Sequence, residues 1–253
     1  ALRRAYEAAQ SVEVALKALE SGLQEECAAA LREGLTGLAA VWAVQRRRLE
    51  WDLREAVRRD PLWRNAAMRP WRLEADFGAK SQPPIVVELE DGFSVRFKGR
   101  IDRVDCSADG SRALVIDYKT GAGSTERAQL KARRNMQLPV YRLAAEALLS
   151  ALRTADVTVA CEYRSVTRRG GFSSLILDRE RDELLADLRA TVGGVRDLVS
   201  QGVFARSPSS PRDCEFCDLA YACGETQWVK NTKRTAAELQ PLVVLQAPIG
   251  VSG

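Results

Sequence analysis

Two short acidic phrases constrain this chain more than anything else in it. The first is Gly99-Arg100-Ile101-Asp102-Arg103-Val104-Asp105, and the second is Val115-Ile116-Asp117-Tyr118-Lys119-Thr120-Gly121. Val95 through Val104 alternates apolar and polar residues as a half-buried strand does, and Ala113 to Ile116 is a short apolar run. Between them, Asp105-Cys106-Ser107-Ala108-Asp109-Gly110-Ser111 carries turn residues. The pattern predicts an antiparallel hairpin that brings Asp102 near Asp117. Alternate side chains of a strand share a face, so Asp117 and Lys119 point the same way, roughly 7 Å apart.

Two carboxylates and an ammonium group in one place suit a hard divalent cation. Mg²⁺ or Mn²⁺ takes one or two carboxylates and completes its shell with waters and phosphate oxygens. Such a cation would acidify a water and neutralise charge on a phosphate, while Lys119 would orient that water or stabilise the transition state. The competing reading is a surface hairpin with a salt bridge. Downstream comes Asn135-Met136-Gln137-Leu138-Pro139-Val140-Tyr141, followed by the helical run Arg142 to Leu149. Pro139 is tolerated in a first helical turn, which sets the helix start near Gln137. Gln137 and Tyr141 then share a helix face, where they could hold a phosphate or nucleotide beside the metal. The alternative for this pair is capping and core packing.

In this order and spacing, GRIDRVD, VIDYKTG and QLPVY resemble the nuclease domains of the RecB/AddB branch of the PD-(D/E)XK superfamily. The resemblance covers roughly residues 70 to 225, and three ordered motifs are more specific than any one. It implies a restriction-endonuclease-like α/β fold, a mixed central sheet flanked by helices. It further implies that Asp102 and Asp117 are metal ligands, that Lys119 is the catalytic lysine, and that Gln137 and Tyr141 line the active site.

The six cysteines give an independent signal: Cys27, Cys106, Cys161, Cys214, Cys217 and Cys223. The last three form a C-x2-C-x5-C run whose thiolates can converge on one metal centre. The chain reads as cytoplasmic, where thiols stay reduced and disulfides are not expected. With no histidine in the sequence, the spacing leaves an all-thiolate zinc site or an iron–sulfur cluster. The run is similar to the iron–sulfur staple of AddB-type nucleases, and that resemblance implies a 4Fe-4S cluster. In the family the fourth Cys lies far upstream, in a motif before a helix that also carries a metal-binding His. Residue 1 is Ala and the first cysteine is Cys27, so the expected fourth ligand lies before Ala1, with Cys27 as the alternative. Cys106 and Cys161 are expected to be structural.

At 253 residues and 46% hydrophobic, the chain can bury a substantial core. Its net charge of +4 leaves DNA affinity to local basic clusters: Arg46-Arg47-Arg48, Arg58-Arg59, Lys131 with Arg133-Arg134, and Arg168-Arg169. Most such clusters are solvated faces. Arg133 and Arg134 precede Gln137 and are the preferred DNA-binding pair. No apolar run is long enough to span a membrane. The expected organisation is a helical segment over 1–66, a nuclease core over 67–228 ending in the Cys loop, and an extended tail over 229–253. Helices are expected over 2–32, 38–59, 137–152 and 184–199. Strands are expected over 71–77, 85–89, 93–104, up to 119, and 157–165, with a short one after Gly171. Glu74 on the first strand is a further candidate support for the metal.

There is no G-x-x-x-x-G-K-[ST] phosphate loop, so a helicase motor would have to be a separate partner or a fused domain. The sequence thus points to a Mg²⁺- or Mn²⁺-dependent deoxyribonuclease of repair or recombination. It would act on single-stranded DNA or duplex ends as exonuclease or single-strand nuclease. The alternative is a non-catalytic DNA-binding or scaffolding module that keeps the fold.

Overall fold

The computed structural model describes residues 1–64, 67–79, 83–150, 157–204 and 214–223 apart from 216, with the isolated positions 237 and 242. The helices are α1 (Leu2–Glu7), α2 (Val12–Arg32), α3 (Ala39–Arg59), α4 (Ser124–Lys131), α5 (Gln137–Ser150), α6 (Arg181–Ser200) and α7 (Ala220–Cys223). The strands are β1 (Met68–Phe77), β2 (Ile85–Glu88), β3 (Ser94–Phe97), β4 (Gly99–Ser107), β5 (Arg112–Lys119), β6 (Thr158–Ser165) and β7 (Ser174–Ile176). Apart from the two isolated positions, the expected tail over 229–253 lies outside the described residues.

Five strands form one sheet in the order β1-β4-β5-β6-β7. The β5–β6 pair is parallel and the other pairs are antiparallel, so the sheet is mixed, as expected. A parallel pair needs a crossover, and α4 and α5 supply it. Leu138, Ala144, Ala145 and Leu149 of α5 pack with Val104, Val115, Val159 and Leu188 of α6 in one core. A second core joins Tyr6, Leu19, Leu23 and Val57 of the N-terminal helices to Leu73, Tyr118 and Val166. Cys106 and Cys161 lie in the first core and Cys27 in the second.

Several boundaries differ from expectation, each for a local reason. The helix expected over 2–32 is interrupted at Ala8–Ser11, because the Ser11 hydroxyl accepts from Val14 N (3.3 Å) and caps a new helix. The strand expected over 93–104 divides at Lys98: β3 pairs with β2 in a separate ribbon, and β4 enters the main sheet. Glycine makes that corner possible. Gly78 has φ +68° against Lys98, and a Cβ on Gly99 would lie 2.9 Å from the Phe77 ring. Asp105 is no turn residue. It is buried in β4, beside Arg103 on the same strand face. Helix α4 was not foreseen; it buries none of its residues and so shows no apolar stripe.

Candidate active site

The β4–β5 ladder runs antiparallel from Cys106↔Ala113 to Arg103↔Ile116 and stops there. One further step of the same register sets Asp102 opposite Asp117. Here the backbone pairing gives way to a side chain: Asp102 Oδ2 accepts from Tyr118 N at 2.8 Å. Asp102 is half-buried and Asp117 is 3% exposed. The expected hairpin therefore does bring the two carboxylates together, at the end of the ladder.

Gln137, the first residue of α5, is the hub of the surrounding hydrogen bonds. Its Nε2 donates to Asp117 Oδ1 (2.7 Å) and to Tyr141 Oη (3.2 Å). Its Oε1 accepts from Lys119 Nζ (3.0 Å) and Tyr163 Oη (3.1 Å). Lys119 Nζ also lies 2.6 Å from Asp117 Oδ2. Apart from that ion pair, Oδ2 has no polar partner among the described residues. Burial pushes the Asp117 carboxyl above its ordinary range. Lys119 opposes the shift, while the nearby Asp102 and Glu126 charges add to it.

Two further residues belong to this cluster and were missed in the sequence. Tyr163 on β6 stands level with Asp117 in the parallel register. Lys119 Nζ sits 4.7 Å from the centre of its ring, and burial pushes its phenol up to about 12. Asn135 donates to Tyr163 Oη (2.8 Å) and accepts from Leu138 N (3.1 Å), so it caps α5 and fixes Tyr163. The capping role was legible, an Asn just ahead of the helix start. The Tyr163 contact was not, because it depends on pairing across the whole crossover. A cleft of about 20 Å³ lies between Lys119, Glu126, Tyr163 and Ser165, room for a single water.

Glu74, between the Leu73↔Arg103 and Ala75↔Ile101 pairs of the β1–β4 register, falls opposite Asp102; at φ +52° it forms an exposed ion pair with Arg100 at 3.7 Å. Arg133 is committed to α6 by a two-pronged ion pair with Asp187 (2.6 and 2.9 Å), and Arg134 Nη1 reaches Thr191 Oγ1 at 3.4 Å. Cys214 and Cys217 are free thiols on one turn, where Cys217 N donates to Cys214 O at 3.4 Å. Cys223 ends α7, and its side chain lies outside the described residues. No group of three or more His, Cys, Asp or Glu side chains that could hold a metal occurs among the described residues. Asp102 and Asp117 are a pair, and one or two carboxylates is the usual protein share of a Mg²⁺ shell. A hard cation fits this pair, where the buried Asp117 Oδ2 meets only the Lys119 ammonium.

Comparison with known proteins decides the family, since the PD-(D/E)XK nuclease superfamily matches residues 1–224. The chain belongs to the PD-(D/E)XK nuclease superfamily. Similar proteins include an ATP-dependent helicase/deoxyribonuclease subunit from Ruminiclostridium cellulolyticum, 33% identical over 97 residues, which is 37% of this chain and 8% of that protein. Its namesake from Acetivibrio thermocellus is 38% identical over 77 residues, 29% of this chain and 6% of the relative. The one from Moorella thermoacetica is 28% identical over 132 residues, 51% of this chain and 12% of the relative. The chain thus matches only about a tenth of the length of these relatives. No helix among its described residues is long and apolar enough to cross a membrane.

Proposed function

We propose that this PD-(D/E)XK domain is a metal-dependent deoxyribonuclease with Asp102 and Asp117 as ligands of Mg²⁺ or Mn²⁺. The observation that carries the reading is the buried Asp117 carboxylate, one oxygen partnered only by the Lys119 ammonium, beside the second carboxylate of Asp102. When bound, the cation supplies charge neutralisation at the scissile phosphate. Lys119 holds a water for attack and offsets the charge that develops on the phosphate oxygens. Gln137 fixes the distance between Lys119 and Asp117 by bonding both. Tyr141 and Tyr163 lock the Gln137 amide in that orientation. Replacing Asp117 by Ala should abolish Mg²⁺- or Mn²⁺-dependent cleavage of labelled single-stranded DNA and leave the circular dichroism spectrum unchanged. Cleavage at the wild-type rate would sink the assignment.

The names of the relatives support a larger setting, in which this domain works with a helicase on DNA strands or ends. The C-x2-C-x5-C run supports a second proposal, a 4Fe-4S cluster held by Cys214, Cys217 and Cys223. Two free thiols on one turn match that donor set. Cys27 is the weaker candidate for fourth ligand, because it is buried in the N-terminal core. Broad visible absorbance in the anaerobically purified protein supports the cluster, and colourless protein containing zinc rejects it.

A further inference from the structure

Beyond the site described above, the loop that joins β6 to β7 carries an arginine–aromatic surface with no role in the core chemistry. Thr167-Arg168-Arg169-Gly170-Gly171-Phe172 is fastened to the segment that follows Lys119. Val166 N donates to Lys119 O and Thr167 Oγ1 donates to Thr120 O, both at 3.0 Å. Gly170 lies so close that a Cβ there would be 2.5 Å from Gly121 O and 1.9 Å from Ser165 Oγ. On its other side the loop is held by α3, where the buried Asp52 carboxylate accepts from Arg168 N at 3.1 Å. The loop thus bridges the exit from β5 to the face of α3.

On that face Trp51 is 40% exposed. The Arg168 guanidinium lies 4.0 Å from the centre of its ring, and Arg59 lies 4.7 Å from that of Phe172. The two aromatic rings are 5.9 Å apart. Phe172 adopts φ +52°, strained for a bulky residue, and its half-buried ring packs on the N-terminal core beside Trp51. Arg47 and Arg48 precede Trp51 by four and three residues and so lie on its side of α3. Neither of them, nor Arg168 or Arg169, forms an ion pair among the described residues, whereas Arg58 and Arg59 are both bound to Glu55.

Unneutralised guanidinium groups interleaved with an exposed ring are what a flexible polyanion with stackable bases requires. We propose that Trp51, Arg47, Arg48, Arg168 and Arg169 form a holding subsite for single-stranded DNA. A base stacks on Trp51 and flanking phosphates rest on the arginines, so that the strand runs between this face and Lys119. The direction of the strand toward Lys119 rests on the nuclease reading; the binding itself does not.

The test is fluorescence anisotropy with a labelled 20-nucleotide single strand and the Asp117→Asn chain, which cannot degrade the probe under that reading. Trp51→Ala should weaken binding between about fivefold and about a hundredfold, the range of one base–aromatic stack. Trp51→Tyr should recover most of the loss, which a purely structural role for the indole would not allow. Arg168→Ala with Arg169→Ala should lower the salt slope of log K by about 1.4, two phosphate contacts on a single strand. A folded Trp51→Ala protein that binds within twofold of its parent overturns the subsite. So does Trp51→Tyr binding as weakly as Trp51→Ala, or an equal loss on blunt duplex. Whether the parent chain cuts DNA with Mn²⁺ is read separately, so a silent nuclease and a missing subsite are distinguishable.

Discussion

Removing the Asp60 carboxylate probes the ion network behind the candidate site. Asp60 Oδ2 accepts from Tyr6 Oη (2.7 Å), Arg103 Nη1 (2.7 Å) and Arg164 Nη1 (2.8 Å), while Oδ1 accepts from Leu62 N (2.9 Å). The side chains of Asp60 and Arg103 are 1% and 0% exposed. Burial disfavours the Asp60 charge, yet Arg103 and Arg164 overcome it and hold the carboxyl below its ordinary range. In Asp60→Ala each arginine keeps a carboxylate of its own, Asp105 for Arg103 and Glu162 for Arg164. Their Nη1 groups and the Tyr6 hydroxyl nonetheless lose a buried acceptor. Unsatisfied buried donors cost about 1–3 kcal/mol each, and breaking a buried charged pair costs about 3–5 kcal/mol, so about 3–5 kcal/mol is expected. With an unfolding entropy of about 2.1 cal/mol/K per residue, a chain of this size should lose about 6–10 °C in Tm. Differential scanning calorimetry at pH 7 reads this, with Arg3→Ala as a control, since the exposed Arg3–Glu7 pair is worth at most about 0.5 kcal/mol. Because Asp60 is depressed, its contribution is complete above the unfolded carboxyl pKa and fades as pH falls through the folded one. Wild type and variant should therefore converge in acid. A loss below about 1 kcal/mol at pH 7, the low end for one orphaned donor, or a gap unchanged in acid, refutes the reasoning.

Asp117 should behave in the opposite sense, because its pKa is raised: its stabilising share is present below the unfolded pKa and lost as pH rises through the folded one. Metal-free Asp117→Asn should therefore melt higher than wild type at neutral pH, the difference closing in acid, while metal-dependent cleavage disappears. Added Mn²⁺ should raise the wild-type Tm by about 5 °C at a hundred times its Kd, from about 2.7 kcal/mol of linkage; Asp102→Ala should lose that shift in the same thermal scan. Gly170→Ala should destabilise by more than about 1 kcal/mol in urea unfolding, since its Cβ would lie 2.5 Å from the Gly121 carbonyl.

The parts of the site legible in the sequence were those set by local rules. Strand alternation gave the shared face of Asp117 and Lys119. The turn at Ala108–Ser111 gave the hairpin, and Pro139 gave the start of α5 at Gln137. What escaped was carried by distant or unusual contacts. Tyr163 meets Gln137 only after β6 docks parallel to β5 beyond two helices. Asp105 resembles a turn former, but its backbone pairs with β1 and β5 and its carboxylate takes two bonds from Arg103, both 2.6 Å, so it stays in a buried strand. The division of the expected 93–104 strand depended on how Phe77 packs over Gly99, which no pattern within that strand encodes.

The same alternation that groups the site residues also explains why the ion network lies behind them. Arg103 follows Asp102, and Tyr118 sits between Asp117 and Lys119, so both project from the opposite face of the sheet. There Arg103 Nη1 donates to Tyr118 Oη at 3.1 Å, and Arg103 packs 4.0 Å from the Tyr6 ring. Burial works against the Arg103 charge, but Tyr118, Asp105 and Asp60 together hold its pKa above the ordinary arginine value. The backbone pairing of β4 and β5 ends at Arg103↔Ile116. Beyond that point two side-chain bonds join the strands, Arg103 to Tyr118 on one face and Asp102 to the Tyr118 amide on the other. The two carboxylates repel each other, and the Lys119 ammonium 2.6 Å from Asp117 Oδ2 and the Gln137 amide that donates to Asp117 Oδ1 offset that repulsion. The buried ion network on the back of the sheet thus ties together the same two strands whose front carries the candidate site.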